Sequence, residues 1–180
     1  DRWYSITPTN AHANRPLTYH PAMPIAAQSA CLLIVAAPAE ARSVLRALSG
    51  DLAKADQLWT PHRLNQTFEM VVSGIGKANA AGAASRFADP KRHRRLLSVG
   101  IAGALPRSGL EVGSTIAATH CTFADEGVQT PSGFLDCDSM GFPLGDFPGA
   151  AVPVDAALLN WLRPSVHVLG SIATVLTCLG

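Results

Sequence analysis

A chain of 180 residues, with 48% hydrophobic and 15% charged side chains, is long and apolar enough for one domain with a sizeable core. That composition excludes a disordered chain, a coiled coil and a collagen-like fibre. Fourteen basic against thirteen acidic side chains leave a formal charge of +1, so no global basic field for nucleic acid or a membrane exists. An aromatic content of 6% argues against a surface for stacking single-stranded bases.

Residues 1–30 carry Pro8, Pro16, Pro21 and Pro24 and keep no sustained period, which predicts an irregular arm. Met23 is a candidate start just ahead of the first strand. Residues 23–41 imitate a signal peptide, but no Lys or Arg lies between Met23 and the apolar run, and Pro38 and Glu40 follow it directly. No run approaches the length of a membrane span. A cytoplasmic location is expected.

The apolar run 31–36 predicts a strand buried on both faces. Pro38 opens a helix over 38–49, where its missing N–H costs nothing, with Ala41, Val44, Leu45 and Leu48 on one face and Gly50 as the stop. Two strands are expected at 57–60 and 68–73, joined by a hairpin-like connection at 61–67. Gly74-Ile75-Gly76 is a turn into an alanine-rich helix at 77–88, which ends before Pro90. Residues 96–101 predict a further buried strand and 113–122 a less regular one. The Gly- and Pro-rich stretch 125–153 reads as a long loop, a functional candidate by its length. A helix at 154–162 with Pro153 at its start, then one long or two short strands at 166–178, complete the order.

Strands alternating with helices, without an internal repeat, give the α/β class with a mixed, mostly parallel sheet. The chain stops directly after an apolar strand, so a truncated C-terminal end is expected. Cys31, Cys121, Cys137 and Cys178 show no C-x-x-C spacing and read as reduced core cysteines. The six histidines are scattered singly, so no metal site and no cofactor are expected.

Three segments stand out. Ala36-Ala37-Pro38-Ala39-Glu40 puts a carboxylate in the first helical turn after the first strand, at the sheet edge where open α/β folds bind ligands. The alternative is a Glu that only complements the helix dipole. Ser73-Gly74-Ile75-Gly76-Lys77-Ala78-Asn79 permits close backbone approach to a ligand, although an ordinary tight turn needs no more. Gly100-Ile101-Ala102-Gly103-Ala104 leaves room at a strand end, and Asp125-Glu126 opens the long loop. Alone, that acidic pair is a solvated loop edge.

In this order and spacing the segments resemble the purine nucleoside phosphorylase and nucleosidase superfamily. The stretch 32–40 is similar to the strand and A-x-x-E turn of methylthioadenosine/S-adenosylhomocysteine nucleosidases. Residues 72–80 match their SGIGK-x-x-A turn, and Gly100-Ile101-Ala102-Gly103 stands where they have GSAG. Residues 124–134, Ala-Asp-Glu-Gly-Val-Gln-Thr-Pro-Ser-Gly-Phe, look most like the futalosine hydrolase group, with ADEGVETP-x-GF there. The resemblance covers about residues 31–180. It implies a three-layer nucleoside phosphorylase-like sandwich and a homo-oligomer, dimer or higher.

The resemblance further implies hydrolysis of an N-glycosidic bond, releasing hypoxanthine from futalosine on the way to menaquinone. The bond to the purine loosens toward an oxocarbenium-like centre, and water adds at C1′. Glu40 would hold or deprotonate that water, a general-base role. Gly74 and Gly76 would shape the floor of the site. Ala102 and Gly103 would line the sugar and water positions. Ile101, Asp125, Glu126 and Val128 complete the substrate-binding set, and Phe134 would pack on the ligand or on a neighbouring subunit. The family's purine-protonating Asp and ribose-holding Glu follow the strand that matches 172–179, and no residue of this sequence takes either role. A molecule ending at Gly180 is therefore expected to hydrolyse weakly or not at all. Residues 36–40 and 100–105 contain no Arg of the kind that binds phosphate in the phosphorylases, which favours water as the nucleophile.

Lys91-Arg92-His93-Arg94-Arg95 is a lone basic run and reads as a solvated loop rather than a nucleic-acid patch. Asp136 and Asp138 read as solvated, Trp59 and Trp161 as packing residues, and His120 as a core or edge histidine. Three functions compete: a futalosine-type nucleosidase, another purine nucleosidase or phosphorylase of the same fold, and a nucleoside-binding member without turnover. A nucleic-acid module resting on 91–95 is disfavoured by the net charge.

Overall fold

The computed structural model describes residues 30–176, which form two compact units, 30–103 and 104–176. The expected arm lies outside the described residues, except that Ala30 already belongs to the first strand. The α/β class with a mixed, mostly parallel sheet is what the chain adopts.

The first unit runs β1 (Ala30–Val35), α1 (Pro38–Leu48), a 3-10 turn (Leu52–Asp56), β2 (His62–Arg63), β3 (Phe68–Val72), α2 (Lys77–Phe87) and β4 (His93–Val99). Its sheet order is β2-β3-β1-β4, with β3 and β4 parallel to β1 and β2 antiparallel to β3. Every residue of β1 is buried. Side chains alternate across a strand, so Cys31, Leu33 and Val35 pack with Ala41 and Leu45 of α1. Leu32 and Ile34 pack with Ala83 of α2. Helix, sheet and helix thus make three layers, and the unbroken apolar run of β1 serves both faces.

Local chemistry sets the ends of these elements. Gly50 takes a φ of +76° and its N–H closes on the Leu45 carbonyl at 2.7 Å, ending α1. In α2 the missing side chain of Gly82 seats the ring of Trp59, whose Cη2 would lie 3.1 Å from a Cβ there. Trp59 also stacks obliquely on Phe87, centroids 6.3 Å apart, and is the packing residue expected.

Three expectations in this unit are corrected. Residues 57–60 are not a strand: Leu58 makes a single bridge to Val72, and Trp59 turns the chain with a φ of +56°. The antiparallel neighbour of β3 is His62–Arg63, inside the stretch expected to be connection. Asn65 builds the tight turn beyond it by accepting the N–H groups of Thr67 and Phe68, both at 2.8 Å. Next, the basic run is not a solvated loop. β4 starts at His93, which is buried, and Arg92 binds the buried carboxylate of Glu69. Finally, β4 ends at Val99 rather than Ile101 and is an edge of its sheet, so Leu96 and Val99 are exposed where full burial was expected.

The second unit runs β5 (Ile116–Phe123), β6 (Gly127–Thr130), β7 (Gly133–Asp136), β8 (Ala151–Pro153), α3 (Ala156–Leu162), a 3-10 turn (Arg163–Ser165) and β9 (Val168–Thr174). β5 lies between antiparallel β8 and parallel β9, while β6 and β7 form a separate hairpin. The expected loop at 125–153 therefore holds three strands. Pro153 ends β8 instead of opening the helix, and α3 is capped by Asp155, whose Oδ1 accepts the Leu158 N–H at 2.6 Å. The register slips between Ala118 and Cys121, and His120 beside the slip is exposed on the central strand of its sheet, so it is neither a core nor an edge-strand histidine. Asp136 and Asp138 are not simply solvated. They accept the N–H groups of Ser139 at 2.7 Å and Gly149 at 2.8 Å. Bonds from the Ser139 amide and then its hydroxyl hold the Asp136 carboxyl below its usual range.

Cys31, Cys121 and Cys137 are free thiols, but only Cys31 of these three is a core residue, and Cys178 lies outside the described residues. Among the described residues no helix is long and apolar enough to cross a membrane.

Candidate functional site

Val35, the last residue of β1, is in register with Val72 of β3 on one side and Val99 of β4 on the other. All three strands run the same way, so segments 36–40, 73–76 and 100–103 leave the sheet at one edge. Open parallel sheets bind ligands at this carboxyl edge. Glu40, Gly74, Gly76, Ile101, Ala102 and Gly103 are thereby gathered from distant parts of the chain.

Glu40 occupies the third position of α1 and is half-buried. Ala37 before the helix is extended (φ −129°, ψ 149°), and Pro38 supplies the first helical φ without needing a partner for an N–H. Alanine has no oxygen with which to cap the helix, so only half of a capping box forms: Glu40 Oε2 accepts the Ala37 N–H at 2.9 Å. The other oxygen reaches the end of β4, where Oε1 accepts the Ile101 N–H at 2.8 Å. One carboxylate thus ties the ends of β1 and β4 together. Each of its oxygens retains capacity for a further proton donor, such as a water.

Gly100 makes this possible. A Cβ there would lie 2.5 Å from Glu40 Oε1 and 3.1 Å from its carboxyl carbon. Ile101, expected to bind substrate, contributes its N–H to Glu40, and its side chain is 89% exposed. Ala102 and Gly103 continue exposed along the same edge.

The turn after β3 is fixed by its own backbone and by two side chains. The Ser73 N–H donates to the Val35 carbonyl at 2.8 Å and its hydroxyl to the Gly74 carbonyl at 2.9 Å. Gly74 and Gly76 take φ of +87° and +106°, which side-chain-bearing residues adopt only with strain. The Asn79 amide donates to the Ile75 carbonyl at 2.8 Å and binds the turn to the start of α2. The helix N-terminus, with its outward N–H groups, opens on the same edge as Glu40.

Asp125, Glu126, Val128 and Phe134 belong to the second unit. Asp125 Oδ2 accepts the N–H of Leu176, and the Ala124 N–H meets the Thr174 carbonyl at 3.2 Å, so this corner straps the end of β9. The Glu126 carbonyl accepts the Cys137 thiol at 3.5 Å. Val128 pairs with Leu135 and Gln129 with Phe134 across the β6–β7 hairpin. The Phe134 ring covers Gly127, its Cζ 2.6 Å from where a Cβ would stand, and the Leu135 carbonyl blocks that same space. Part of the Asp-Glu-Gly-Val to Gly-Phe pattern therefore records how a hairpin closes. Val128 and Phe134 remain exposed. Among the described residues, no group of three or more His, Cys, Asp or Glu is placed to hold a metal ion.

Reading the sequence singled out Glu40 but missed Gly100 as its neighbour. The signal present was the glycine at the end of β4, and only the fold shows which side chain fills its space.

A futalosine hydrolase of Streptomyces coelicolor is 31% identical to this chain over 121 residues, which span 64% of the chain and 51% of the relative. The chain thus spans about half the length of the curated relative it matches. No protein-family model and no solved structure matches it.

Proposed function

We propose that this chain forms the water-holding part of a purine nucleosidase site, with futalosine as its nucleoside. The observation that carries the reading is the Glu40 carboxylate, held at 2.9 Å and 2.8 Å by N–H groups from the ends of two parallel strands at the ligand-binding edge. Two anchored oxygens fix the plane of the carboxylate, so a water on a remaining lone pair has a defined direction of attack. The carboxylate takes a proton from that water as it adds to the ribosyl carbon, the glycosidic C–N bond breaks with its electron pair leaving on the purine, and the purine is reprotonated from solvent. Gly74 and Gly76 leave the floor of the edge without side chains. The likeness to a futalosine hydrolase supports the choice of nucleoside. The expected partner is thus a purine nucleoside, in a cytoplasmic homo-oligomer that needs no cofactor.

The test is base release by the 180-residue chain from futalosine, methylthioadenosine and inosine, with and without phosphate. Phosphate-independent release of hypoxanthine from futalosine is expected, weak in a chain without the purine-protonating and ribose-holding acids, with Glu40→Gln slower still by about 10²–10⁴-fold. Release that requires phosphate, or neither release nor binding of any of these nucleosides, overturns the reading.

A further inference from the structure

We infer that Gly100 is a positioning residue for Glu40: its missing side chain is the space in which the carboxylate reaches across to the Ile101 N–H. The kinetic part of this inference rests on the hydrolase reading of Glu40; the structural part does not.

Gly100 is not a glycine of conformation, as Gly74 and Gly76 are, because its φ lies outside the left-handed region. What it supplies is room. The atoms nearest to a Cβ at this position all belong to the Glu40 carboxyl group: Oε1 at 2.5 Å, Cδ at 3.1 Å and Oε2 at 3.4 Å. Backbone does not crowd the position, so an alanine displaces the end of one flexible side chain and leaves the strand in place. The displaced carboxylate loses the Ile101 N–H, its anchor just beyond β4. The Ala37 N–H, three residues away just ahead of its own helix, remains within its reach. A carboxylate with one anchor swings, and the water it holds loses its fixed direction.

The experiment compares the parent chain with Gly100→Ala, Glu40→Ala and the double variant. Amide hydrogen exchange is read at Ile101, whose side chain is exposed and whose N–H has Glu40 as its partner. Exchange at Ile101 is expected to quicken about tenfold in both single variants, the worth of one ordinary hydrogen bond. The amides of β1 should keep their protection and the urea midpoint of Gly100→Ala should fall no further than that of Glu40→Ala. In turnover of futalosine, Gly100→Ala should lower kcat about 10–10²-fold with KM little changed. It should add nothing in the Glu40→Ala background. Native protection at Ile101 in Gly100→Ala overturns the inference. So does a Gly100→Ala chain that fails to fold, since the clash would then not be absorbed by Glu40. A parent chain that neither turns over nor binds a nucleoside removes the hydrolase reading alone, and the exchange measurement still decides the place of Gly100.

Discussion

The carboxylate of Glu69 lies 2.8 Å from the guanidinium of Arg92, toward the edge of the first sheet opposite Glu40. Its side chain is only 7% exposed, and burying a carboxylate is tolerable only with partners. His93 stands 3.5 Å away, and its Nδ1 accepts the Asp89 N–H at 3.0 Å, so the ring presents Nε2 to Glu69. The same acid type thus works as a structural tie at one edge and as an exposed-edge acceptor at the other. Glu69→Ala is expected to cost about 2–3 kcal/mol in urea denaturation, below the usual figure for a buried pair because Arg92 is half solvated. Glu40→Ala should cost about 1 kcal/mol or less. The reverse order of costs would contradict this division of labour.

Gly127→Ala should differ in kind from Gly100→Ala. At Gly127 the space is closed by the Leu135 carbonyl and the Asp136 Cα, both backbone, so the chain itself must move. The expected result is unpairing of β6 from β7, at a cost of about 1–3 kcal/mol. Loss of cross-strand contacts between Val128 and Leu135 in nuclear Overhauser spectra would report it, and a hairpin that survives would refute it.

Burial pushes the Cys31 thiol up to about 11, an effect larger than the opposing pull of the Arg95 charge. Little thiolate therefore exists at pH 8, and reagent access is closed as well. In native protein treated with iodoacetamide at that pH, peptide mapping should find Cys31 unmodified while Cys137 reacts. In denaturant both should react. Native-state alkylation of Cys31 at the rate of Cys137 would rule this out.

His62 carries a buried Nε2 that has no hydrogen-bond partner. Burial first, and then the charge of Lys54, hold its proton affinity below the ordinary value, against a weaker opposing pull from Asp51. The unfolded chain therefore takes up a proton at higher pH than the folded one. Stability from this residue is complete above about pH 6.5 and declines as pH falls from there toward the lower folded value. His62→Phe should flatten the fall of the urea midpoint between pH 7.5 and 5.5. An unchanged slope would show that His62 does not contribute.

The legible parts of the sequence were those where one physical demand dominates. β1 announces itself because burial on both faces leaves no polar residue in it, and α1 because Pro38 and its apolar stripe agree. Glu40, Gly74 and Gly76 were legible only as candidates, because each residue type is ordinary at a strand-to-helix turn and it is their order along the chain that singles them out. What stayed hidden depends on partners far away in the chain. Arg92 and His93 looked like solvent-facing charge because their counter-charge, Glu69, comes from another strand. The β6–β7 hairpin was masked by Gly127 and Gly133, which break alternation while permitting close packing and a turn φ of +133°. The two-residue β2 is too short for any period to show.

The strand order β2-β3-β1-β4 puts the first strand of the described residues in the middle of its sheet. During synthesis β1 leaves the ribosome before either neighbour exists. Its second edge stays open until residues 93–99 have been made and have docked. Closing that edge links distant segments, the kind of pairing that forms slowly. Glu40 meets Ile101 only at that same step. Assembly of the carboxylate site is therefore one of the last events of folding in this unit, and a nascent chain stalled before β4 exposes an apolar edge ready to pair with another copy.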